Sequence, residues 1–276
     1  MMFKMTKGTI MSKNIDHALE EYGVEFIKNC IPDDIINRVR EEYDRVDSTL
    51  NNSEIPKNKP IVVLWTHVKG AQKRIATFDE MPELWNLIET VITPIVKNRL
   101  GQRITKLQLL ESIIFNKPAT KDNVLHWHQD VAYFPLKPND QFAVWFPLEI
   151  VTKERGAMTY ALKSHKEGMK GSTDLHTRTK FDNEDRPLIP ENPEESGFDV
   201  RTMEMTPNDM LIHNGKTWHY SGANQVEGYT RRGVSIRFII NEVVFDPRPG
   251  QGAAFTKQIE ISPGQILNSP AFPVMS

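Results

Sequence analysis

The sequence predicts a mainly β fold with flanking helices, and two observations carry the prediction. From residue 103 onward, short runs rich in β-branched and aromatic residues alternate with gaps that contain Pro, Gly, Asn and Asp, a texture typical of strands and turns. The first hundred residues instead place apolar side chains at helical spacing. Helices that buttress an all-β sandwich or barrel core account for this order.

Two helices are predicted in the first part of the chain. One covers 31–50, where Asp33 is placed to cap the first turn. The other covers 81–101, with Pro94 as a bend and Gly101 as the stop. We expect both helices to support the β core that follows them.

Five runs are predicted as core strands. They are ITKLQLLESIIF (104–115), QFAVWFPLEIV (141–151), AMTYAL (157–162), DMLIHN (209–214) and GVSIRFIINEV (233–243). The polar, proline-bearing segment 181–199 is too long for a tight turn and is predicted to be a lid or a mobile insertion. We see no domain boundary, so residues 1–276 are expected to form a single domain with a helix-rich part at about 1–102, a β core at about 103–245 and a C-terminal tail.

Charge and cysteine content narrow the functional classes. The 34 Lys and Arg residues nearly balance the 36 Asp and Glu residues, for a net charge of -2, so nucleic acid and anionic membranes are not expected as main partners. Cys30 is the only cysteine, which excludes an internal disulfide, a cysteine-based zinc site and an iron–sulfur cluster within one chain. A small molecule is the expected partner, and the oligomeric state is left open.

Targeting signals are not evident in the sequence. The N-terminal residues lack the continuous apolar stretch of a signal peptide, and no run of about 18 apolar residues follows. The C-terminal residues PVMS differ from a peroxisomal S-K-L address. We therefore predict a cytoplasmic protein.

The run HWHQD, at 126–130, suggests a metal site. Residues i and i+2 of a strand point to the same face, so His128 and Asp130 reach one ion if this stretch is extended. His126 shares that face by the same parity. The choice between the two histidines is therefore open.

A third ligand is expected from a distant strand, with His213 and His219 as the candidates. Two histidines and one carboxylate that leave other positions open are typical of non-haem Fe(II) oxygenases. A zinc hydrolase would usually need a further carboxylate base near its bound water. The donor set therefore favours iron.

Arg231 stands twelve residues after His219 and leads into the apolar run GVSIRF. A half-buried guanidinium generally grips a carboxylate, either that of a ligand or that of an acidic residue of the chain. The charges of Fe(II), Asp130, a dicarboxylate 2-oxo acid and Arg231 cancel, which makes their joint burial tolerable.

Four runs together resemble the phytanoyl-CoA dioxygenase family of Fe(II)/2-oxoglutarate oxygenases. They are FNKPATKDNVLHWHQDVAYFPLKPND (115–140), AVWFPLE (143–149), GAMTYALKSHKEG (156–168) and HYSGANQVEGYTRRGVSIRF (219–238). The similarity covers about 70–240 and keeps the element order. It implies a double-stranded β-helix, that is, a cupin-like jelly roll flanked by helices, with Fe(II) as cofactor, 2-oxoglutarate as cosubstrate and O2 as oxidant.

The resemblance also implies the metal ligands. His128 and Asp130 match the proximal ligands and His219 the distal one. His126 then points into or beside the pocket as a substrate candidate, and His213 is expected to be a packing residue.

For the cosubstrate, Arg231 matches the arginine that holds the distal carboxylate of 2-oxoglutarate, and Arg232 competes for that role. Ser221 matches the hydroxyl beside that carboxylate. Trp145 matches an aromatic residue that lines the pocket, although an ordinary core aromatic would look the same. Lys117 aligns with a basic position near the site.

Other residues are expected around the substrate and the ligands. Arg74 aligns loosely with a second basic position, and we predict that Arg74 and Tyr133 contact substrate. Gln129, Tyr133 and Trp218 are predicted to support the metal ligands. The family's glutamine contact to the cosubstrate is in doubt, because Leu125 occupies that position.

The reaction expected is hydroxylation of an unactivated C–H bond, since halogenases of this class lack the carboxylate that Asp130 supplies. The acidic segment 181–199 should repel the phosphates of an acyl-CoA. We therefore predict a small polar substrate, such as an amine- or guanidine-bearing natural product of the cylindrospermopsin type, hydroxylated late in its biosynthesis. An acyl-CoA 2-hydroxylase and a non-catalytic β-barrel binding module are the alternatives.

Overall fold

The computed structural model describes residues 18–50, 54–67, 74–182, 184–247 and 261–276. Within these ranges the α-helices are α1 (Ala18–Tyr22), α2 (Asp33–Thr49), α3 (Pro82–Leu87) and α4 (Thr93–Leu100), and a π-helical turn (Ile88–Ile92) joins the last two. The strands are β1 (Val24–Ile27), β2 (Ile61–Thr66), β3 (Arg74–Thr77), β4 (Leu107–Lys117), β5 (Leu125–His128), β6 (Leu136–Lys137), β7 (Gln141–Pro147), β8 (Met158–Ala161), β9 (Val200–Met203), β10 (Met210–Asn214), β11 (His219–Ser221), β12 (Arg231–Ile240) and β13 (Val244–Phe245).

Two facing sheets form the body of the fold. The larger has seven strands in the order β1-β10-β7-β12-β4-β2-β3, antiparallel except between β2 and β4. The smaller has four strands in the order β5-β11-β8-β9. Side chains from both meet in one apolar cluster, which joins Trp145 and Leu211 of the larger sheet to Met158 and Tyr160 of the smaller. The prediction of a double-stranded β-helix with a mainly β composition is confirmed.

Helices cover the outer face of the larger sheet. Val39 of α2 and Leu84 of α3 belong to the same buried cluster as Ile114 of β4 and Ile236 of β12. The central strands β4 and β12 are therefore enclosed on both faces, which is why their sequences are apolar over long runs rather than alternating.

The helices lie where the sequence predicts them, but the expected cap is wrong. Pro32 occupies the N-cap position of α2, and the Asp33 carboxylate instead accepts a hydrogen bond of 2.8 Å from the Asn208 side chain. Pro94 cannot donate a backbone hydrogen bond, and the turn before it widens, so that the Thr93 N–H reaches the Ile88 carbonyl.

The first part of the chain is not only helical. Strand β1 forms one edge of the larger sheet, and β2 and β3 form the other. The run IVVLWT of β2 carries the β-branched and aromatic residues of a strand, yet its pairing with the core strand β4 joins residues 50 positions apart, Val62 to Ser112, and nothing local marks that pairing. The prediction of a helical buttress therefore missed both edges of the core.

The acidic segment 181–199 does not close over the space between the sheets. Its Ile189 and Phe198 pack with Trp218, Trp127 and Ala161 on the outer face of the smaller sheet. The few apolar residues of the segment anchor it in this buried cluster, so these contacts do not support a lid, and a mobile insertion stays a prediction. Trp218 shares this cluster, which places its ring away from the metal ligands that it was predicted to support.

The C-terminal residues pack beside the open end of the core. Phe272 and Leu267 lie against Phe134 and Leu110, and the Leu109 N–H donates to the Pro273 carbonyl at 3.0 Å. In the described part of the chain, no helix has the length and apolar character that a bilayer span requires.

Candidate active site

Three side chains of metal-ligating type converge at one end of a small cavity between the two sheets. His128 ends β5, Asp130 follows it after Gln129, and His219 begins β11, the antiparallel neighbour on which His219 pairs with His128. One ligand atom from each residue lies within 4.8 Å of the other two, and all three side chains are buried. The arrangement offers two imidazoles and one carboxylate to a single ion.

Backbone carbonyls orient both imidazoles. The Nδ1 atom of His128 lies 2.7 Å from the His126 carbonyl, and that of His219 lies 2.9 Å from the Thr217 carbonyl. Because a carbonyl only accepts, each Nδ1 carries the proton and each Nε2 presents its lone pair. Burial lowers the pKa of His128, and burial together with the adjacent His128 holds the pKa of His219 well below its usual value. Both rings are therefore neutral, as metal ligands must be.

Both carboxylate oxygens of Asp130 are engaged by neighbours other than the ligands. Arg237 donates to Oδ1 at 2.8 Å, and His213 Nε2 lies 3.1 Å from Oδ2. Burial alone would raise the pKa of Asp130, but Arg237, His219 and His213 hold it well below its usual value. His213 was predicted to be a packing residue, and this is corrected: it is a polar partner of the carboxylate.

A bulge in β5 decides between the two histidines of HWHQD. His219 pairs with His128, and Ser221 pairs with Leu125. An advance of three residues along β5 therefore lies opposite an advance of two residues along β11. Leu125 and His128 consequently line the cavity, whereas His126 is partly exposed and its backbone N–H bonds the Leu175 carbonyl. Strict alternation, on which the parity argument rested, does not hold here.

Arg231 lines another part of the cavity wall, and the buried Lys117 lies behind it against Ser221. Arg231 is 1% exposed and donates to Ser221 Oγ at 2.9 Å and to the Gly156 carbonyl at 3.1 Å. Lys117, its cross-strand partner, donates to the same Oγ at 2.7 Å. Burial lowers the pKa of Arg231 to about 10, and burial with the nearby Arg231 charge holds the pKa of Lys117 well below its usual value. With the described residues neither cation forms an ion pair, which leaves a pocket suited to an anion.

Comparison with known protein families matches residues 19–233 to the family described as phytanoyl-CoA dioxygenase (PhyH). The chain belongs to the phytanoyl-CoA dioxygenase family. Among curated relatives, a probable phytanoyl-CoA dioxygenase of Caenorhabditis elegans is 25% identical over 248 residues, covering 84% of this chain and 76% of the relative. The human peroxisomal phytanoyl-CoA dioxygenase is 24% identical over 241 residues, covering 79% of this chain and 65% of the human protein.

Solved structures share the fold. The alpha ketoglutarate dependent carbocyclase SnoK from nogalamycin biosynthesis superposes with a TM-score of 0.71 at 19% identity, covering 97% of each chain. The epimerase SnoN, in complex with Fe3+, alpha ketoglutarate and nogalamycin RO, gives 0.68 at 17% identity, covering 95% of this chain and 97% of SnoN. Family membership and the His128, Asp130 and His219 centre together confirm the prediction of a dioxygenase that depends on iron and 2-oxoglutarate.

In this dioxygenase the two adjacent arginines of β12 point to opposite sides. Arg232 leaves the cavity and donates to Glu149 at 2.6 Å and to Asp44 at 2.6 Å. Of the two, Arg231 lines the cavity, in keeping with the alternation of side chains along a strand. The alternative of a structural ion pair fits Arg232 and not Arg231.

Trp145 lines the cavity beside Arg231, whose guanidinium carbon lies 5.5 Å from the centre of its ring. Gly233 makes this placement possible: a Cβ there would lie 2.4 Å from Cζ2 of Trp145. Nothing in the sequence indicates this requirement, because Gly233 looks like an ordinary glycine within a strand.

His67, just after β2, is a cavity residue that sequence reasoning missed. Its ring is 1% exposed and stacks on Trp65 and Phe115, with centroids at 5.3 and 5.0 Å, while His176 meets its face at 5.8 Å. Among the described residues, neither ring nitrogen has a hydrogen-bond partner. Burial, Lys117 and Arg231 hold the pKa of His67 well below its usual value, so the ring is neutral.

Two predicted substrate residues are placed elsewhere. Arg74 lies on the edge strand β3 and pairs with Asp47 at 2.9 Å, so its charge is satisfied away from the cavity. The rings of Tyr133 and His128 meet in an edge arrangement, and the Tyr133 hydroxyl donates to the Thr173 carbonyl at 2.8 Å. Tyr133 therefore supports the His128 side chain rather than forming a wall of the cavity.

Gln129, between two ligands, ties them to neighbouring loops. Its amide nitrogen donates to the carbonyls of Gly168 and Lys216, each at 2.8 Å, and its amide oxygen accepts from the Lys170 N–H at 2.8 Å. These contacts hold the loop that carries Asp130, as predicted from its position in the motif.

Proposed function

We propose that this dioxygenase hydroxylates an unactivated C–H bond of a small polar substrate, with His128, Asp130 and His219 as the iron ligands. The observation that supports it is the meeting, in one buried cavity, of this three-residue centre and the cation Arg231 that has no carboxylate partner among the described residues. We further propose that all three parts of the chain form one oxygenase domain; a cytoplasmic location stays a prediction.

The metal-centre proposal is supported by the preset ligand atoms. Two imidazoles present Nε2 and one ionised carboxylate presents oxygen, a set that suits Fe(II) and leaves positions for cosubstrate and O2. When bound, iron supplies the oxidative decarboxylation of 2-oxoglutarate to succinate and CO2, coupled to oxidation of the substrate by O2. The presence of Asp130 favours hydroxylation over halogenation.

The cosubstrate proposal assigns the far carboxylate of 2-oxoglutarate to Arg231, Lys117 and Ser221. Arg231 and Lys117 both bond the Ser221 hydroxyl, so one anion can be met by two donors and a hydroxyl. Trp145 forms the adjoining wall. These residues would hold the cosubstrate and exclude water from it.

Two further buried charged groups lie beside the charges of iron, Asp130, Arg231 and a dicarboxylate. Arg237 and Glu111 form a buried pair at 3.0 Å, and their charges cancel. Lys117 lies beside Arg231, and burial with the Arg231 charge holds the pKa of Lys117 well below its usual value. The charges of iron, Asp130, Arg231 and a dicarboxylate cancel, and the Arg237–Glu111 pair leaves that sum unchanged, which supports the assignment.

For the substrate, the support now comes from the cavity wall instead of the acidic segment, which lies on the other side of the smaller sheet. His67 and Phe115 line the cavity, and Trp65 and His176 pack against His67. Flat aromatic and imidazole faces suit a ring or a guanidinium group. An amine- or guanidine-bearing natural product of the cylindrospermopsin type fits this proposal as a late tailoring substrate.

A second candidate is 2-hydroxylation of an acyl-CoA, which the family and the names of the curated relatives favour. The cations of the cavity speak against it. Arg237 is held by Asp130 and Glu111, and Arg231 is assigned to 2-oxoglutarate, so neither arginine that lines the cavity is left for phosphates.

The experiment supplies Fe(II), 2-oxoglutarate and O2 and measures succinate together with the mass of the candidate substrate. We expect guanidine-bearing heterocycles to gain one oxygen atom and phytanoyl-CoA to remain unchanged. The matched variants are Asp130→Ala, expected to abolish both signals, and His67→Phe, which keeps the stacked ring but removes its nitrogens. His67→Phe should raise the substrate KM about 10-fold and leave the 2-oxoglutarate KM unchanged. Oxidation of the acyl-CoA alone would establish the second candidate instead.

A further inference from the structure

A buried chain of hydrogen bonds runs through Asp130 from one sheet to the other. The Tyr160 hydroxyl lies 3.2 Å from His213 Nδ1, and His213 Nε2 lies 3.1 Å from Asp130 Oδ2. On the other side, Arg237 donates to Asp130 Oδ1 at 2.8 Å and to Glu111 at 3.0 Å. We call Tyr160, His213, Arg237 and Glu111 the carboxylate clamp; each of them is less than a tenth exposed.

The direction of each hydrogen bond follows from the chemistry of the groups. Asp130 is ionised and can only accept, so the Nε2 of His213 that faces it carries a proton. With the Nε2 proton on the other side of the ring, the Nδ1 atom of His213 accepts, and the Tyr160 hydroxyl, 3.2 Å away, donates to it. Tyr160 thereby fixes the tautomer in which His213 donates to the carboxylate.

The charges of the clamp preserve the attraction for a cation. A lone Arg237 would neutralise Asp130 and weaken metal binding. Glu111 accepts a hydrogen bond from the other nitrogen of the same guanidinium. The attraction between Glu111 and Arg237 offsets the cost of burying their charges. The group of Asp130, Arg237 and Glu111 keeps one net negative charge at the metal centre.

The orientation of the Asp130 carboxylate is also set before a metal binds. A free carboxylate rotates about its last bond and can bind a metal through one oxygen or through both. Here each oxygen already accepts a hydrogen bond from a different side, so the carboxylate plane is set. Such outer contacts orient a ligand before the metal binds, and their loss typically weakens metal binding.

We propose that the carboxylate clamp is a set of positioning residues that holds Asp130 as a preset carboxylate ligand, which favours one coordination geometry of the metal centre. This rests on the proposed role of Asp130 as a ligand. Tyr160 and Glu111 do not touch Asp130. They act through His213 and Arg237, which do.

The test uses Co(II), whose visible absorption reports coordination number, titrated into the metal-free full-length protein with 2-oxoglutarate present. Glu111→Gln combined with Arg237→Gln removes one half of the clamp without leaving a single buried charge from this pair. We expect about 10- to 100-fold weaker Co(II) binding and a changed band intensity. Tyr160→Phe removes one hydroxyl and should shift both readouts in the same direction, by about 10-fold or less.

The matched control is Arg232→Gln, on the same strand but facing away from the cavity, which should leave Co(II) affinity and spectrum unchanged. Thermal unfolding shows whether each variant folds. If the double variant does not fold, the Co(II) affinity and spectrum of Tyr160→Phe test the clamp instead. A folded variant with wild-type Co(II) affinity and spectrum would overturn the clamp. Asp130→Ala separates the two claims: retained Co(II) affinity there refutes the ligand assignment itself, whereas loss there with intact clamp variants refutes the clamp alone.

Discussion

Arg231 and Arg232 are chemically identical neighbours with opposite surroundings. The first has only neutral partners among the described residues and is buried in the cavity, and the second pairs with Glu149 and Asp44 on the other face of β12. A charge without a counter-ion in a buried place points to a ligand. A charge that already has a counter-ion is not expected to bind a ligand and contributes only to folding stability.

The first prediction contrasts these two residues. Arg231→Ala should raise the KM for 2-oxoglutarate about 10- to 100-fold, because a charge-assisted contact contributes about 1.5–3 kcal/mol. Arg232→Ala should leave that KM unchanged. Steady-state succinate formation at varied 2-oxoglutarate measures both, and a larger effect at Arg232 would show that the assignment of the cosubstrate arginine is wrong.

At the scale of elements, the contact between β12 and β7 depends on the absence of a side chain. Gly233 lies opposite Pro147 in register, and the Trp145 indole occupies the space where a Cβ would stand. The Cβ would meet ring atoms rather than the end of a flexible chain. The indole therefore has to move if that space is filled.

The second prediction follows from this contact. Gly233→Ala should lower the free energy of unfolding by about 1–3 kcal/mol, as other overpacked cores do, and disturb the cosubstrate pocket through Trp145. Gly222→Ala is the control, because its Cβ would meet nothing nearer than 3.5 Å. Chemical denaturation compares the two variants, and equal stability would contradict the packing argument.

For the whole molecule, pH acts through buried histidines. His67 and His219 have folded-state pKa values held well below the usual one, chiefly by burial. The unfolded chain therefore binds protons that the folded chain does not as the pH falls through about 6.5. Asp130, whose pKa is also depressed, adds stability that is present above about pH 4 and lost below it.

The third prediction concerns this pH dependence. The metal-free protein should lose stability between pH 6.5 and 5.5, with each such histidine contributing up to about 1 kcal/mol. His67→Phe should make the loss smaller by about that amount. Thermal unfolding in the presence of a chelator measures the slope, and an unchanged slope in His67→Phe would mean that the His67 ring is charged in the folded state.

The sequence by itself determined the fold class, the family, and which residue types meet at the centre. Apolar runs and helical spacing identify β4, β7, β12 and α2, because burial on one or both faces leaves a local pattern. The spacing of HWHQD, the later histidines and Arg231 identified the chemistry, because a metal and a carboxylate demand those donors wherever the fold brings them together.

Tertiary structure alone decided what depends on register and on distant contacts. The bulge in β5 places His128 and not His126 at the cavity, and alternation along β12 places Arg231 there and not Arg232. Strand β2, paired with β4, brings in His67, and the contacts at Asp130 come from His213 and Arg237. A residue's own sequence neighbourhood carries no record of these pairings, because each partner lies far away in the chain and meets it only after the sheets have formed.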